Sequence, residues 1–236
     1  MEFGGRSIVL TGVGRSGQVG EAVAVAFAER GARVFLVSRQ ETESRARADE
    51  LLARGLRAAS LAADLTDAAA VTALAERIRD ATAGRVHALV HIAGGFSMSG
   101  SVAESDPAEW GRLFAINATT AYLTARAFVP LLRATKGSAV FFASEATLPG
   151  ARAGGRAAYT AAKGAVVSLV HAIAEEERVH GVRANAVAPT SIKTADNVAS
   201  MGPDVAMVTR EAVADVVLWL CSDAARAVTG QIVAVR

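Results

Sequence analysis

The sequence has a single cysteine and no long uncharged apolar run, and these absences exclude several kinds of protein. Cys221 stands alone, which excludes an internal disulfide, fits a reducing cytoplasm and predicts a thiol in the core. No stretch reaches about 18 apolar residues free of charge, so we expect no membrane span. Residues 1–6 are too short and too polar for a signal peptide. We therefore expect a cytoplasmic protein with no membrane partner.

The sequence is also poor in aromatic residues and in clustered charge. Cysteine and histidine form no group at ligand spacing, so the sequence does not support a metal site. Aromatic residues make up 5% of the chain, and scattered arginines leave a formal net charge of only +2. Because phosphate neutralisation needs clustered lysine and arginine, we expect no nucleic-acid partner, and solvated helix faces account for the arginines.

Apolar residues make up 52% of the chain, and short apolar runs alternate with amphipathic stretches. Nearly continuous apolar runs of this length are typical of parallel strands buried on both faces. The predicted strands are residues 7–10, 33–37, 57–62, 87–92, 139–143, 183–188 and 231–235. The predicted helices are residues 19–30, 42–54, 67–83, 107–133, 159–177 and 210–221. This alternation predicts one α/β domain over residues 1–236, a Rossmann-like, doubly wound parallel sheet of about seven strands flanked by helices.

A glycine-rich turn links the first predicted strand to the first predicted helix. It reads Thr-Gly-Val-Gly-Arg-Ser-Gly-Gln-Val-Gly over residues 11–20. Glycine lets the backbone approach a pyrophosphate closely, and the helix N-terminus offers free N–H groups and a partial positive charge. In this strand–turn–helix context we favour a dinucleotide phosphate site over a merely flexible turn. The predicted cofactor contacts are Thr11, Gly12, Gly14, Arg15, Gly17, Val19 and Gly20.

The end of the second predicted strand bears on the choice of cofactor. An NAD-preferring site usually has a carboxylate there, which accepts hydrogen bonds from the ribose. Here the residues are Ser38 and Arg39, and Arg39, with Arg15, could pair with a 2′-phosphate; the alternative is an ordinary solvated arginine. We therefore expect NADP(H) rather than NAD(H). Asp64 and Leu65 follow the third strand, where Asp64 could meet an adenine edge or cap the next helix.

Tyr159 and Lys163 lie four residues apart in a predicted helix of small and aliphatic residues. Residues at this spacing share one helix face, so the hydroxyl and ammonium groups can converge. A phenol has an ordinary pKa of about 10, and a fixed cation nearby favours the phenolate, as proton exchange near neutral pH requires. By itself the pair is a weak signal, because a half-buried tyrosine beside a solvated lysine is common.

These features, in this order, resemble the short-chain dehydrogenase/reductase family over essentially the whole chain. The resemblance rests on several short segments together rather than on any one of them. Besides the glycine-rich turn and the Tyr159–Lys163 pair, the matching residues are Ala93, Gly94, Asn117, Ser144, the segment 183–189 with Ile192 and Thr194, and residues 228–231.

The resemblance implies an oxidoreductase that moves hydride between a nicotinamide and a carbonyl or alcohol. Tyr159 would be the general acid/base, and Lys163 would hold the ribose hydroxyls and lower the pKa of Tyr159. Ser144 would hydrogen-bond the substrate oxygen, or it merely ends a strand. Asn117 would support a relay water near Lys163, or it satisfies backbone groups within its helix. The remaining cofactor contacts would be Ala93, Gly94, Pro189, Ile192 and Thr194.

The sequence departs from the family pattern at both ends of the site. The glycine-rich turn is two residues longer than usual, and Gln18 stands where a glycine is expected. His91 and Ile92 replace two asparagines, and we expect His91 to stabilise the strand and turn rather than to catalyse. Ser144 lies further from the tyrosine than usual, so Glu145 is an alternative site residue.

Only the family resemblance implies that the chain assembles. Members of the family form homodimers or homotetramers through the long fourth helix and the tyrosine-bearing helix. The chain ends at Arg236, short of the usual glycine-containing tail, which often packs at subunit contacts.

Loops at the carboxyl ends of the strands are expected to line the substrate pocket, namely residues 95–98, 148–150 and a lid at about 190–208. Their apolar side chains predict an apolar or aromatic carbonyl substrate, although methionine is as often loose packing. These side chains are Phe96, Met98, Leu148, Met201 and Met207. A non-catalytic nucleotide-binding regulatory or scaffold protein of the same fold is the competing hypothesis, and a double-bond reductase is a third.

Overall fold

The computed structural model describes residues 2–236, and at its centre lies a sheet of seven parallel strands. The strand order across the sheet is β3-β2-β1-β4-β5-β6-β7, which reverses direction between β1 and β4. The bounds are β1 Ser7–Thr11, β2 Arg33–Ser38, β3 Arg57–Ala62, β4 Ala88–His91, β5 Ser138–Phe142, β6 Arg183–Pro189 and β7 Ile232–Val235. The predicted doubly wound parallel sheet is confirmed, and its order places the switch point, where ligands bind in such sheets, beside β1 and β4.

Eight α-helices occur among the described residues. Their bounds are α1 Val19–Glu29, α2 Glu41–Ala53, α3 Ala68–Thr82, α4 Pro107–Phe114, α5 Thr120–Leu132, α6 Ala157–Glu176, α7 Ala195–Met201 and α8 Arg210–Cys221. Side chains of α3, α5 and α6 bury one face of the sheet, and side chains of α1, α2 and α8 bury the other.

The strands read as continuous apolar runs because both faces of the sheet are covered. In β1, Val9 belongs to the core cluster on one face, while Ile8 and Leu10 belong to the cluster on the other. Successive side chains of a strand point to opposite faces, so a sheet covered on both sides needs apolar residues at every position.

The structure differs from the sequence prediction in two helical regions. Residues 107–133, predicted as one helix, contain a π-helical turn at Ala115–Thr119 between α4 and α5. The lid contains α7, which the sequence did not predict, because none of its seven residues is buried and its sequence shows no apolar period. The other predicted elements occur with ends shifted by one or two residues.

Helix α6 and its 3₁₀ extension, Ala157–His180, are long and apolar enough to cross a membrane by length and composition alone. This is weak evidence for a membrane span, because core helices of globular proteins meet the same criterion. The helix packs on β6 and contributes Val166, Val170 and Ile173 to the core. It also carries Tyr159 and Lys163 to the carboxyl ends of the strands.

Candidate active site

Tyr159 lies in the first turn of α6, where its ring and its hydroxyl meet two different loops. The ring packs edge-on against Phe96, with centroids 5.0 Å apart. The hydroxyl lies near the side chain of Ser144, which follows β5. Burial raises the pKa of Tyr159, while Ser144 and the nearby Arg156 act in the opposite direction. Lys163 is not among the groups that shift this pKa here, so its lowering of the Tyr159 pKa stays a prediction.

Lys163 is buried one turn further along α6. Its Nζ donates a hydrogen bond of 2.7 Å to the carbonyl of Phe142, the last residue of β5. Burial lowers the pKa of Lys163 to about 8, because desolvation penalises the charged amine. A Cβ placed on Gly94 would lie 3.2 Å from this Nζ, so the turn after β4 approaches the amine closely.

Asn117 lies in the π-helical turn and is 1% exposed. Its Oδ1 accepts a hydrogen bond of 3.1 Å from the N–H of Gly95, and its Nδ2 donates bonds of 3.0 Å to the carbonyls of Gly95 and Leu113. A Cβ on Gly94 would lie 2.6 Å from the same Oδ1. Asn117 therefore satisfies backbone groups, as the structural alternative expects, and also lies with Lys163 against Gly94.

The glycine-rich turn leaves β1 at Thr11 and lies directly against the turn after β4. Gly12 has a φ of +78°, and a Cβ there would lie 2.5 Å from the backbone nitrogen of Ala93. Both the conformation and the contact exclude a side chain. Val19 opens α1, whose N-cap residue Gln18 makes no side-chain capping bond. The first backbone N–H groups of α1 therefore have no capping side chain, and these are the donors that bind an anion at a helix N-terminus.

The sequence prediction missed Glu21, which braces the glycine-rich turn. Its carboxylate accepts hydrogen bonds of 2.8 Å from the N–H of Gly17 and 2.9 Å from the hydroxyl of Ser16. Arg210 pairs with it at 3.0 Å, and these partners together lower its pKa despite partial burial. An acid in the first helical turn after a long glycine-rich loop is the sequence signal that could have identified this role.

Arg15 does not face the end of β2, where the sequence led us to place it. Its guanidinium pairs with Asp196 in the lid helix α7 at 2.5 Å. Nearby, the carbonyl of Gly17 accepts a hydrogen bond of 3.1 Å from the N–H of Ala195. The additional residues of the turn therefore contact the lid, an interaction between distant segments that the local sequence does not encode.

Residues after β6 shape the lid. Pro189 ends β6, and Ile192 forms a β-bridge with Val208. Thr194 is buried, and its hydroxyl accepts a hydrogen bond of 3.2 Å from the N–H of Asn197, so it caps α7.

The ends of β2 and β3 lie side by side. Arg39 is exposed, and Ser38 donates a hydrogen bond of 2.5 Å to the carbonyl of Gln40. Asp64 is exposed and accepts hydrogen bonds from Thr66, and these bonds, together with the charge of Arg39, lower its pKa.

One alternative for Asp64 was that it caps the next helix, and the structure shows that it does not. Asp67 caps α3 instead, by accepting a bond of 2.8 Å from the N–H of Ala69. Leu65 is buried in the core, so it contributes packing to this region.

A carboxylate also approaches the glycine-rich turn from α2. A Cβ on Gly14 would lie 2.6 Å from Oε2 of Glu43, which the sequence prediction overlooked. Glu43 follows the end of β2 by five residues, one helical turn beyond the position where a ribose-binding acid is usually sought.

His91 and Glu145 have structural partners. His91 is buried at the end of β4, with Nδ1 2.9 Å from the hydroxyl of Thr11 and Nε2 3.3 Å from that of Thr120. Burial, and secondarily Lys163, lowers the pKa of His91 to about 3, so it is neutral near pH 7. Glu145 pairs with Arg236 at 3.2 Å, whereas its neighbour Ser144 contacts Tyr159.

The chain is similar to proteins of known family over nearly its whole length. A family model described as enoyl-(acyl carrier protein) reductase matches residues 12–236. The 2-(S)-hydroxypropyl-CoM dehydrogenase 3 of Xanthobacter autotrophicus is 35% identical over 97% of this chain and 94% of its own length. The inactive 2-(S)-hydroxypropyl-CoM dehydrogenase 2 of that organism is 36% identical over 74% of this chain and 73% of its own.

Solved structures lead to the same conclusion. A short-chain type dehydrogenase/reductase from Mycobacterium ulcerans superposes with a TM-score of 0.89 at 28% identity, covering 100% of this chain and 90% of that one. The fold, the order of the site residues and these similarities agree, and the chain belongs to the short-chain dehydrogenase/reductase family.

Proposed function

We propose that the protein is an NADP(H)-dependent oxidoreductase that transfers hydride between the nicotinamide and an apolar or aromatic carbonyl or alcohol. The observation that carries this proposal is the convergence of four side chains at the carboxyl ends of β4 and β5. Ser144 lies near the hydroxyl of Tyr159, while Lys163 and Asn117 lie against the same glycine, Gly94. A structural role accounts for Asn117 through its backbone hydrogen bonds, but it does not account for a buried lysine amine with one carbonyl partner beside the same turn.

The residues present fit a dinucleotide. The uncapped N-terminus of α1 supplies N–H donors for a pyrophosphate, and Gly12, at a positive φ, keeps the turn free of a side chain there. The charge of Glu21 beside this turn is balanced by Arg210 and Arg47. In this proposal Lys163 would hold the ribose hydroxyls, and Thr194 and Ile192 would contact the nicotinamide end. When bound, the nicotinamide supplies or accepts the hydride.

The side chains divide the proton chemistry between them. Because burial raises the pKa of Tyr159, its hydroxyl is protonated in the free protein and can donate to a carbonyl oxygen during reduction. Ser144 hydrogen-bonds that oxygen and stabilises the negative charge that develops on it. Asn117 supports a relay water near Lys163, and a proton from solvent returns to Tyr159 through this water. In the oxidation direction the same tyrosine accepts the alcohol proton.

The preference for NADP(H) rests on Arg39. This guanidinium is exposed at the end of β2, where no acid occupies the usual ribose-binding position, and it can pair with a 2′-phosphate. Glu43, which lies against Gly14, is the feature that favours NAD(H) instead, because its carboxylate can accept ribose hydrogen bonds. The proposal gives Arg39 more weight than Glu43 because Arg39 lies directly at the end of β2. Unlike Arg15, which pairs with Asp196 of the lid, Arg39 is not held by the lid.

The substrate class follows from the apolar side chains around Tyr159. Phe96 covers one side of the tyrosine ring and is 56% exposed, and Met98 beside it is 61% exposed. Met201 and Val205 are also exposed along the lid. Exposed apolar side chains at the mouth of a polar site favour a substrate with an aromatic or aliphatic body and one carbonyl group.

We also propose a cytoplasmic homo-oligomer, a dimer or tetramer. Only 39% of the apolar window in Ala157–His180 is buried within the chain, and α4 and α5 expose Trp110 and Tyr122. A second copy packed on these helices would cover the apolar surface that one chain leaves open.

Two other functions have specific support. The description of the matching family model favours reduction of a carbon–carbon double bond, in which Tyr159 would protonate an enolate. The inactive relative, together with Gln18 in the lengthened turn, favours a non-catalytic nucleotide-binding scaffold. The intact Tyr159, Lys163 and Asn117 favour catalysis over the scaffold.

Turnover by wild-type and Tyr159→Phe protein separates these functions. The panel contains aromatic and aliphatic ketones, the matching alcohols and conjugated enoyl compounds, with cofactor fluorescence as the binding readout. We expect carbonyl turnover that falls about 10²- to 10⁴-fold in Tyr159→Phe, the range for loss of a general acid, with cofactor binding retained. Turnover of enoyl compounds alone would favour the double-bond reductase, and binding without any turnover would favour the scaffold.

A further inference from the structure

A cleft of about 530 Å³ lies at the amino ends of the central strands, on the edge of the sheet opposite the candidate active site. Its lining residues stand where those strands begin. Arg6 precedes β1, His87 precedes β4, and Arg183 opens β6. A five-residue strand such as β1 spans about 16 Å, so this cleft and the glycine-rich turn are separated by the length of the sheet.

The lining of the cleft is strongly cationic. Its charged members are Arg6, Lys136, Arg183 and Arg226, with Asp223 as the one carboxylate among the lining residues. Asp223 pairs with Arg6 at 2.6 Å and is 83% exposed, so it lies at the rim. Burial raises the pKa of the lining Cys221 to about 12, and its thiol therefore adds no negative charge.

Arg183 supplies a fixed charge that no carboxylate balances through contact. Its NH1 donates to the carbonyl of Leu220 at 2.7 Å, and its NH2 donates to the carbonyl of Ser222 at 3.3 Å. Within residues 2–236 it forms no ion pair, so neutral carbonyls alone hold the guanidinium in place. Guanidinium groups stay charged even when partly buried, and the carboxylate of Asp223 acts on Arg183 only through space, so an anion in the cleft would meet a charge that no ion pair neutralises.

His87 adds a neutral donor to these cations. Its Nδ1 accepts a hydrogen bond of 3.1 Å from the N–H of Ser7, which places the ring proton on Nε2. Burial lowers the pKa of His87, and the facing charges of Arg85 and Arg6 lower it further. The ring is therefore neutral near pH 7 and presents one N–H donor.

We propose that this cleft binds a small multivalent oxyanion, either inorganic phosphate or the phosphate group of a small phosphorylated metabolite. Arg6, Arg183, Arg226 and Lys136 provide its charge-assisted hydrogen bonds, and Nε2 of His87 donates one more. Guanidinium groups and a neutral imidazole N–H are donors that suit the charge and the acceptor oxygens of a phosphate. A volume of about 530 Å³ suits a small anion.

Calorimetric titration of the full chain with inorganic phosphate, at constant ionic strength, tests this site. Arg226→Gln removes one exposed cation of the cleft, and Arg77→Gln removes an exposed cation of α3 as the matched control. We expect phosphate binding to weaken about fivefold in Arg226→Gln, the effect of one partly exposed charge, and to be unchanged in Arg77→Gln. Asp223→Asn removes the rim carboxylate and is expected to tighten binding.

The imidazole resonances of His87 locate the bound anion. Phosphate in the cleft stabilises the charged ring, so the pKa of His87 measured by NMR is expected to rise when phosphate is added. Phosphate held at the glycine-rich turn would leave both His87 and the Arg226→Gln affinity unchanged, and that result would overturn the proposal. Repeating the titration with glycerol 3-phosphate identifies the source, because tighter binding of the ester favours a phosphorylated metabolite and tighter binding of phosphate favours the free ion.

Discussion

His91 and Lys163 have pKa values far from their ordinary range because each is buried where its charged form loses water. The pKa of His91 lies at about 3, and that of Lys163 at about 8. Thr11 and Thr120 satisfy both ring nitrogens of a neutral His91, so the imidazole joins β1, β4 and α5 without a charge. Lys163, by contrast, has one carbonyl partner and still needs the groups that a bound dinucleotide would bring.

Replacing His91 is expected to change how the stability of the protein depends on pH. The folded pKa of about 3 lies below the unfolded value of about 6.5, so between these values the unfolded chain binds a proton that the folded chain does not. The wild-type free energy of unfolding should therefore decrease as pH falls through this window, by up to about 1.4 kcal/mol per pH unit from this residue. His91→Asn removes this contribution, as urea unfolding at several pH values can measure.

His171→Ala is the control for that measurement, because His171 is exposed on α6. Its pH profile should match that of the wild type. If His91→Asn also retains the full wild-type slope between pH 6.5 and 3, the assignment of a neutral buried His91 is wrong.

At this scale, the sequence identified the chemical groups better than their partners. Tyr159, Lys163 and Asn117 could be named because a local pattern and a family resemblance specify them. The pairing of Arg15 with Asp196 joins residues about 180 positions apart, and only the folded chain brings them together. The raised pKa of Tyr159 depends likewise on its burial in the folded chain, which no local spacing encodes.

Among the elements, the glycine-rich turn and the lid form one unit in this structure. The two residues by which the turn exceeds the usual family length lie in the segment that reaches α7, where Arg15 pairs with Asp196 and Gly17 accepts from Ala195. Contact with the lid is therefore a structural role for the lengthened glycine-rich turn that the family resemblance alone did not indicate.

Asp196→Asn is expected to loosen the lid without unfolding the protein. The ion pair is half-exposed, so its loss should change global stability by less than about 1 kcal/mol. Amide hydrogen exchange over Ala195–Met201 should nevertheless become several-fold faster, because Arg15 no longer holds the start of α7. Exchange measured by mass spectrometry on the cofactor-free protein resolves this segment.

Asp204→Asn removes an exposed carboxylate elsewhere in the same lid and should leave exchange in α7 unchanged. Equal acceleration in both variants would mean that lid charge in general, rather than the pair with Arg15, sets the mobility of α7.

The alternation of strands and helices was predictable because each strand is buried on both faces and each long helix has a buried side. Helix α7 was not predictable, because none of its seven side chains is buried and its sequence therefore has no apolar periodicity. The π-helical turn was hidden for a different reason, because its residues continue the helical composition on either side. It is recognisable only from the backbone, and it positions Asn117 toward Gly95.

For the molecule as a whole, the apolar surface on α4, α5 and α6 decides the expected assembly. Tyr122 is 53% exposed on α5, and Trp110 on α4 stacks on Phe114 while remaining 48% exposed. Tyr122→Glu should lower the molar mass measured by light scattering toward that of one chain, because a buried carboxylate in an apolar contact is costly. Leu52→Glu, an equivalent change on α2, should not. A wild-type protein that is already monomeric would contradict the proposed oligomer.

The central claim, that the carboxyl ends of β1, β2 and β4 hold NADP(H), is tested most directly by titrating the purified protein with NADPH and NADH. Nicotinamide fluorescence and thermal shift report binding without any knowledge of the substrate. We predict that NADPH binds more tightly than NADH. Arg39→Ala should weaken NADPH binding about tenfold or more without changing NADH binding, and the control Arg77→Ala should change the binding of neither nucleotide. Tighter binding of NADH would contradict the role of Arg39 and favour Glu43, and binding of neither nucleotide would contradict the oxidoreductase proposal itself.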